Sequence, residues 1–74
     1  MSQVMATMAG NVWKILVNAG EQVDEGQDVV ILESMKMEIP IAAEEAGKVK
    51  EIKVQEGDFV NEGDVIIELE QEET

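Results

Sequence analysis

Apolar residues along this chain fall in short β-branched runs closed by turn residues. Val12 to Val17 and Val49 to Val54 are two such runs, ended by Asn18-Ala19-Gly20 and Gln55-Glu56-Gly57, and both read as strands. A second pair of strands is predicted near Val29 to Leu32 and Val65 to Leu69, and an opening strand for each half near Val4 to Met8 and Ile39 to Ala43. Pro40 cannot donate a ladder hydrogen bond, so its strand is an edge or begins there. Within Val12, Ile15 and Val17, and again within Val49, Ile52 and Val54, the apolar spacing is three and then two. Three is the wrong spacing for one face of a flat strand, which predicts a β-bulge or strong twist in each run. The segments from Gly20 to Gly26 and from Gly57 to Gly63 share a Gly-x-x-Val-x-Glu-Gly frame, a compact turn whose glycines can take positive φ. Glycine recurs too often for helix. The expectation is an all-β sandwich or flattened barrel of about eight short strands.

The pattern is also internally repeated. Shifted by 37 positions, Gly10 to Glu33 matches Gly47 to Glu70 without a gap, with ten identities in 24 positions. The identical pairs are Gly10/Gly47, Val12/Val49, Ile15/Ile52, Val17/Val54, Gly20/Gly57, Val23/Val60, Glu25/Glu62, Gly26/Gly63, Leu32/Leu69 and Glu33/Glu70. Upstream, Val4/Ile41 keeps the register. Two copies of a unit too small to bury its own apolar face imply halves, 4–33 and 41–70, that pack together about a pseudo-twofold axis. Residues 1–74 then form one domain, with Gln71 to Thr74 as a polar, frayed tail.

Composition narrows the chemistry. A domain of this size buries only about 60% of the surface its unfolded chain exposes. The chain has no cysteine and no histidine, which excludes disulfide staples and argues against a zinc staple or a His- or Cys-based catalytic centre. Seventeen acidic residues against five basic ones leave a net charge of −12, a balance that repels nucleic acid and anionic lipid and favours partners with basic docking faces. Most of these acids serve as a solvated coat. Met1 to Gly10 carries no positive charge and no long apolar run, so neither a signal peptide nor a membrane span is expected. A soluble, monomeric, cytoplasmic protein is the expectation.

Between the two copies lies Glu33-Ser34-Met35-Lys36-Met37-Glu38. If Glu33 ends one half and Ile39 opens the other, the intervening residues form a tight hairpin with Lys36 at its tip. Two-residue hairpin turns favour Asn-Gly or Asp-Gly because both central residues need positive φ, and a Met-Lys turn breaks that rule at roughly 1–2 kcal/mol per left-handed residue. A broken local rule in an otherwise consistent sequence points to a site. Two alternatives remain open on the residues alone. Ser34 to Glu38 could form one helical turn stopped by Pro40, or the methionines could be core residues with Lys36 an exposed spacer.

Set between two Gly-x-Val units, Glu-Ser-Met-Lys-Met-Glu resembles the attachment motif of biotinyl domains, which form one family with lipoyl domains. The resemblance covers about Val4 to Glu70 and is closest to stand-alone bacterial biotin/lipoyl attachment proteins. It implies two four-stranded antiparallel sheets in a flattened barrel, with Lys36 on an exposed hairpin and both chain ends at the far side. It also implies that a biotin protein ligase acylates Lys36 with biotin, and that the group then carries a carboxyl from a biotin carboxylase to a carboxyltransferase. The protein itself would be a carrier and not an enzyme. Alkylamines are almost wholly protonated at neutral pH, so activation must come from the ligase, which in this family presents an acyl-adenylate. Met35 and Met37 match the flanking methionines of the family and would give adaptable contacts to its enzymes. Glu33, Ser34 and Glu38 complete the recognition set.

The sequence departs from the family pattern in places. Ser34 stands where alanine is frequent, the proline often seen before the matching methionine is missing from Val4 to Met8, and the gapless repeat leaves no room for a "thumb" insertion. Two other functions compete. A lipoyl carrier, or an acceptor of both biotin and lipoate, would serve acyl or aminomethyl transfer, but lipoyl domains usually show Asp-Lys-Ala at the tip. An unmodified adaptor of the same fold has no need of a lysine between two methionines.

Overall fold

The six apolar runs form strands, and so do the middles of the two glycine frames. The computed structural model describes residues 2–71. In chain order the strands are β1 (Ser2–Met5), β2 (Gly10–Ile15), β3 (Gln22–Val23), β4 (Asp28–Ser34), β5 (Met37–Ala42), β6 (Gly47–Ile52), β7 (Phe59–Val60) and β8 (Val65–Glu70). β3 and β7 correct the reading of the frames as turns alone: each is two residues long, with Val23 or Val60 anchored in the core. β1, β2, β5 and β6 begin and end earlier than the apolar runs suggest, whereas β4 and β8 run past the ends of theirs. Val17 and Val54 lie beyond β2 and β6, since a side chain can be covered by neighbours without joining a ladder.

The strands form two antiparallel four-stranded sheets, ordered β1-β8-β6-β3 and β5-β4-β2-β7. A shift of 37 residues maps one sheet onto the other strand by strand, and each sheet takes two strands from each half of the chain. β5, which holds Pro40, is an edge strand as its chemistry requires. The predicted bulges occur at matching places, where the register shifts between Val12 and Lys14 in β2 and between Val49 and Glu51 in β6. The turns match too. Gly20 donates to the Val49 carbonyl and Gly57 to the Val12 carbonyl, at 2.7 and 2.8 Å, with φ of 90° and 98°.

The core lies between the sheets and is aliphatic. Leu32, Val12, Val29 and Val30 from one sheet meet Leu69, Val49, Ile66 and Ile67 from the other. No polar or charged side chain among the described residues is buried. Full burial of each of these side chains contributes roughly 1.5–3 kcal/mol. Among the described residues no helix is long and apolar enough to cross a membrane. Of the tail expected at 71–74, Gln71 is described and its side-chain amide donates to Ser2 Oγ at 2.8 Å; residues 72–74 lie outside the described residues.

Candidate functional site

β4 and β5 pair without a break from Ile31 opposite Pro40 to Ser34 opposite Met37. That register leaves two residues to close the hairpin, Met35 and Lys36. They are the only non-glycine residues with positive φ among the described residues, at 52° and 65°. Both central residues of a type I′ hairpin turn need such values, because its twist matches that of the flanking strands. Left-handed backbone at a side-chain-bearing residue costs of order 1–3 kcal/mol and persists where the surroundings over-determine it. Here the continuous β4–β5 ladder supplies that constraint. The helical-turn alternative is excluded.

The side chains around the turn point to solvent. Met35 is 91% exposed and Met37 64% exposed, which rules out a core role for either methionine. Lys36 is exposed at the tip, and Ser34 is half-buried at its base. Glu33 and Glu38 are exposed and stand directly opposite each other across the ladder. Like charges in that position are destabilising by roughly 0.2–1 kcal/mol. The hairpin thus combines a strained turn, two exposed thioethers, one cation and a facing pair of carboxylates.

One structural residue beneath the hairpin was legible only as a repeat identity. Gly10 opens β2 against the end of β4, where an added Cβ would lie 2.9 Å from the Glu33 carbonyl oxygen and 3.5 Å from Ser34 Cβ. A side chain there would push the hairpin base off the sheet. Gly47 occupies the matching place against the Glu70 carbonyl at 3.1 Å, and the Gly10/Gly47 identity was its signal in the sequence.

The hairpin lies at the end of the molecule opposite Ser2 and Gln71, the first and last described residues. β2 starts beside Glu33, and the segment that follows it reaches Val49 and pairs Gln22 with Lys48, which in turn faces Glu70. A surface groove between β1 and β5, bounded by Met5, Pro40, Glu44 and Glu62, does not reach Lys36. Among the described residues no group of three or more Asp, Glu, His or Cys could hold a metal ion.

Comparison with known proteins points to the same hairpin-bearing fold. A family model described as biotin-requiring enzyme, covering biotin and lipoyl domains, matches residues 1–69. A biotin/lipoyl attachment protein of Bacillus subtilis is 65% identical over 41 residues, 55% of this chain and 56% of that protein. Biotinylated protein TB7.3 of Mycobacterium tuberculosis is 52% identical over 40 residues, 54% of this chain and 56% of that protein. The matched stretches thus span little more than half the length of these relatives. The crystal structure of Kluyveromyces lactis urea carboxylase superposes with a TM-score of 0.83 and 33% identity over 89% of this chain and 6% of that one.

Proposed function

The chain belongs to the biotin/lipoyl family, and from that membership we propose that it is a biotin carrier whose Lys36 is the attachment point. A biotin protein ligase acylates Lys36, and the modified hairpin then serves a biotin carboxylase and a carboxyltransferase in turn. The observation that carries this reading is the turn itself: the one strained non-glycine pair among the described residues ends in an exposed lysine. Relatives described as biotinylated, and a structural likeness to a carboxylase, support biotin as the group.

The hairpin suits a tethered group because everything around Lys36 is open. In ligation, the Lys36 ammonium loses one proton to become the free amine, its Nζ attacks the carboxyl carbon of activated biotin, and the amide forms as a second proton and the activating group depart. Bound biotin supplies a ring nitrogen that accepts and releases a carboxyl group. The two-residue turn holds the attachment point on a continuous ladder, so the reach of the arm is set by the lysine side chain and not by a floppy loop. Met35 and Met37 present soft, adaptable surface to each enzyme, and the facing pair Glu33 and Glu38 is relieved of its repulsion when basic residues of a partner approach. Ser34 fits the hairpin base with a small side chain. The domain contributes effective concentration, turning the encounters of separate active sites into short movements.

Intact-mass spectrometry after expression with a biotin protein ligase tests the reading. One biotin adduct is expected, lost in Lys36→Arg and kept when Lys14, Lys48, Lys50 or Lys53 is replaced by Arg. An unmodified wild-type protein overturns it. An adduct of lipoate mass, formed only with a lipoate ligase, assigns the lysine to lipoyl transfer instead.

A further inference from the structure

The two sheets offer an internal control, because each position in one has a counterpart in the other. On the outer face of the β1-β8-β6-β3 sheet, Lys53 Nζ lies 3.1 Å from Glu51 and 3.9 Å from Glu68, and Lys50 stands beside them on β6. Their counterparts in the other sheet are Leu16, Lys14, Ile31 and Trp13. A cluster of four charges has become three apolar residues and one lysine. The same exchange recurs on the short strands, where Gln22 of β3 corresponds to Phe59 of β7.

The bulge makes this face continuous. The β2 register steps from Val12 opposite Leu32 to Lys14 opposite Ile31, leaving Trp13 as the extra residue. Trp13 is 41%, Leu16 44% and Phe59 61% exposed, and Lys14 Nζ sits 5.3 Å from the Trp13 ring. Since the other sheet folds with charges at the matching positions, folding does not require apolar groups here. A grouped apolar surface that folding does not require marks an interaction site.

We infer that the outer face of the β5-β4-β2-β7 sheet is where the biotin protein ligase docks, an inference that rests on the carrier reading above. Continuity with Lys36 is the first argument. β4 carries Ile31 in the patch and runs through Glu33 to the turn, a separation of about 13 Å from Ile31 to Met35 at ordinary strand rise. A ligase that holds Lys36 in its active site therefore has its own surface against this face. Charge is the second argument. Glu33 and Glu38 edge the patch toward the tip, and Glu56, whose Oε2 accepts the Ile15 N–H at 3.0 Å, edges it near the bulge. A partner with an apolar centre and a basic rim fits this pattern, whereas a second copy brings another net charge of −12 to the same surface.

The test is steady-state biotinylation of the apo-protein by purified biotin protein ligase with biotin and ATP. The variant Trp13→Lys/Leu16→Lys copies the residues of the other half, and Phe59→Gln copies Gln22 without touching the bulge. Each is expected to raise KM for the carrier, the double variant by about tenfold or more, with kcat little changed because the hairpin is intact. Lys53→Gln, on the opposite face, leaves KM unchanged. If wild type is biotinylated and neither variant raises KM, the docking inference is wrong while the carrier reading stands. An equal rise with Lys53→Gln also overturns it. So does a wild-type dimer in sedimentation that Trp13→Lys/Leu16→Lys disperses, which would give the face to a second copy. If wild type accepts no biotin, the carrier reading fails and the docking inference falls with it.

Discussion

The two ends of this molecule are built alike and finished differently. At one end β4 and β5 pair and are joined through Met35-Lys36; at the other β8 and β1 pair, with Ser2 opposite Leu69. Beneath each lies a glycine, Gly10 or Gly47, pressed against a strand carbonyl. Gln71 bonds to Ser2 across the open end, a tie between side chains where the other end has a strained covalent turn. What the ends share holds the sandwich together. What they do not share is the site, and the same rule separates the apolar outer face from the charged one.

Several substitutions probe how far the likeness extends. The largest effects belong to the shared core: Leu32→Ala and Leu69→Ala each cost about 2–5 kcal/mol in urea unfolding. Because the two leucines are equivalent and fully buried, the values should agree closely. A marked inequality would mean that the two sheets do not contribute equally to the core.

The glycines come next and should differ. Gly10→Ala forces its Cβ against the carbonyl of a strand pinned by the hairpin and costs about 1–3 kcal/mol. At Gly47 the facing segment, Glu70-Gln71, closes no hairpin and can give way. There the reduced freedom of the unfolded chain offsets the clash, and Gly47→Ala is nearly neutral. Paired thermal melts read the difference, and equal losses would break the distinction between a closed and an open end.

Met35→Asn acts in the opposite direction. Asparagine tolerates left-handed backbone better than methionine, so this variant should be more stable by up to about 1 kcal/mol, with Lys36 still in place. No gain in melting temperature would show that the turn is unstrained.

The smallest effect lies on the charged face. The hydrogen bond that Lys53 donates to Glu51, then the charges of Glu51 and Glu68, raise the Lys53 pKa above its ordinary value. A raised folded-state pKa stabilises fully below the unfolded value and loses that contribution as pH rises through the folded one. Lys53→Leu, which copies Leu16, should therefore lower the melting temperature slightly at neutral pH, and the deficit should fade as pH rises beyond about 10.4. A deficit that persists at high pH would point to packing and not charge.

Much of the fold is legible in the order of the amino acids. The three-then-two spacing in Val12, Ile15 and Val17 demands a bulge because side chains alternate along a strand, and the register steps fall within both runs. Met35-Lys36 is recognisable as a turn because two β units need a junction and Pro40 fits an edge strand. The two-residue strands are not legible in this way. Gln22–Val23 and Phe59–Val60 carry one buried valine each within a glycine frame, too short a run for any periodicity. Identical residues also meet different fates: Val17 is fully buried while its repeat partner Val54 is half-buried.

By itself the sequence determined roughly where the six longer strands lie, that β2 and β6 bulge, that the halves repeat and that Lys36 marks their junction, because alternation, turn chemistry and repetition are local properties of the chain. Only the tertiary structure decided that each sheet draws two strands from each half, that Met35 and Met37 face solvent, and that Trp13, Leu16, Ile31 and Phe59 gather on one outer face. Those outcomes depend on which strand edges meet. Pairing across the chain is selected by burial of the common core between the sheets, a quantity that no single segment contains.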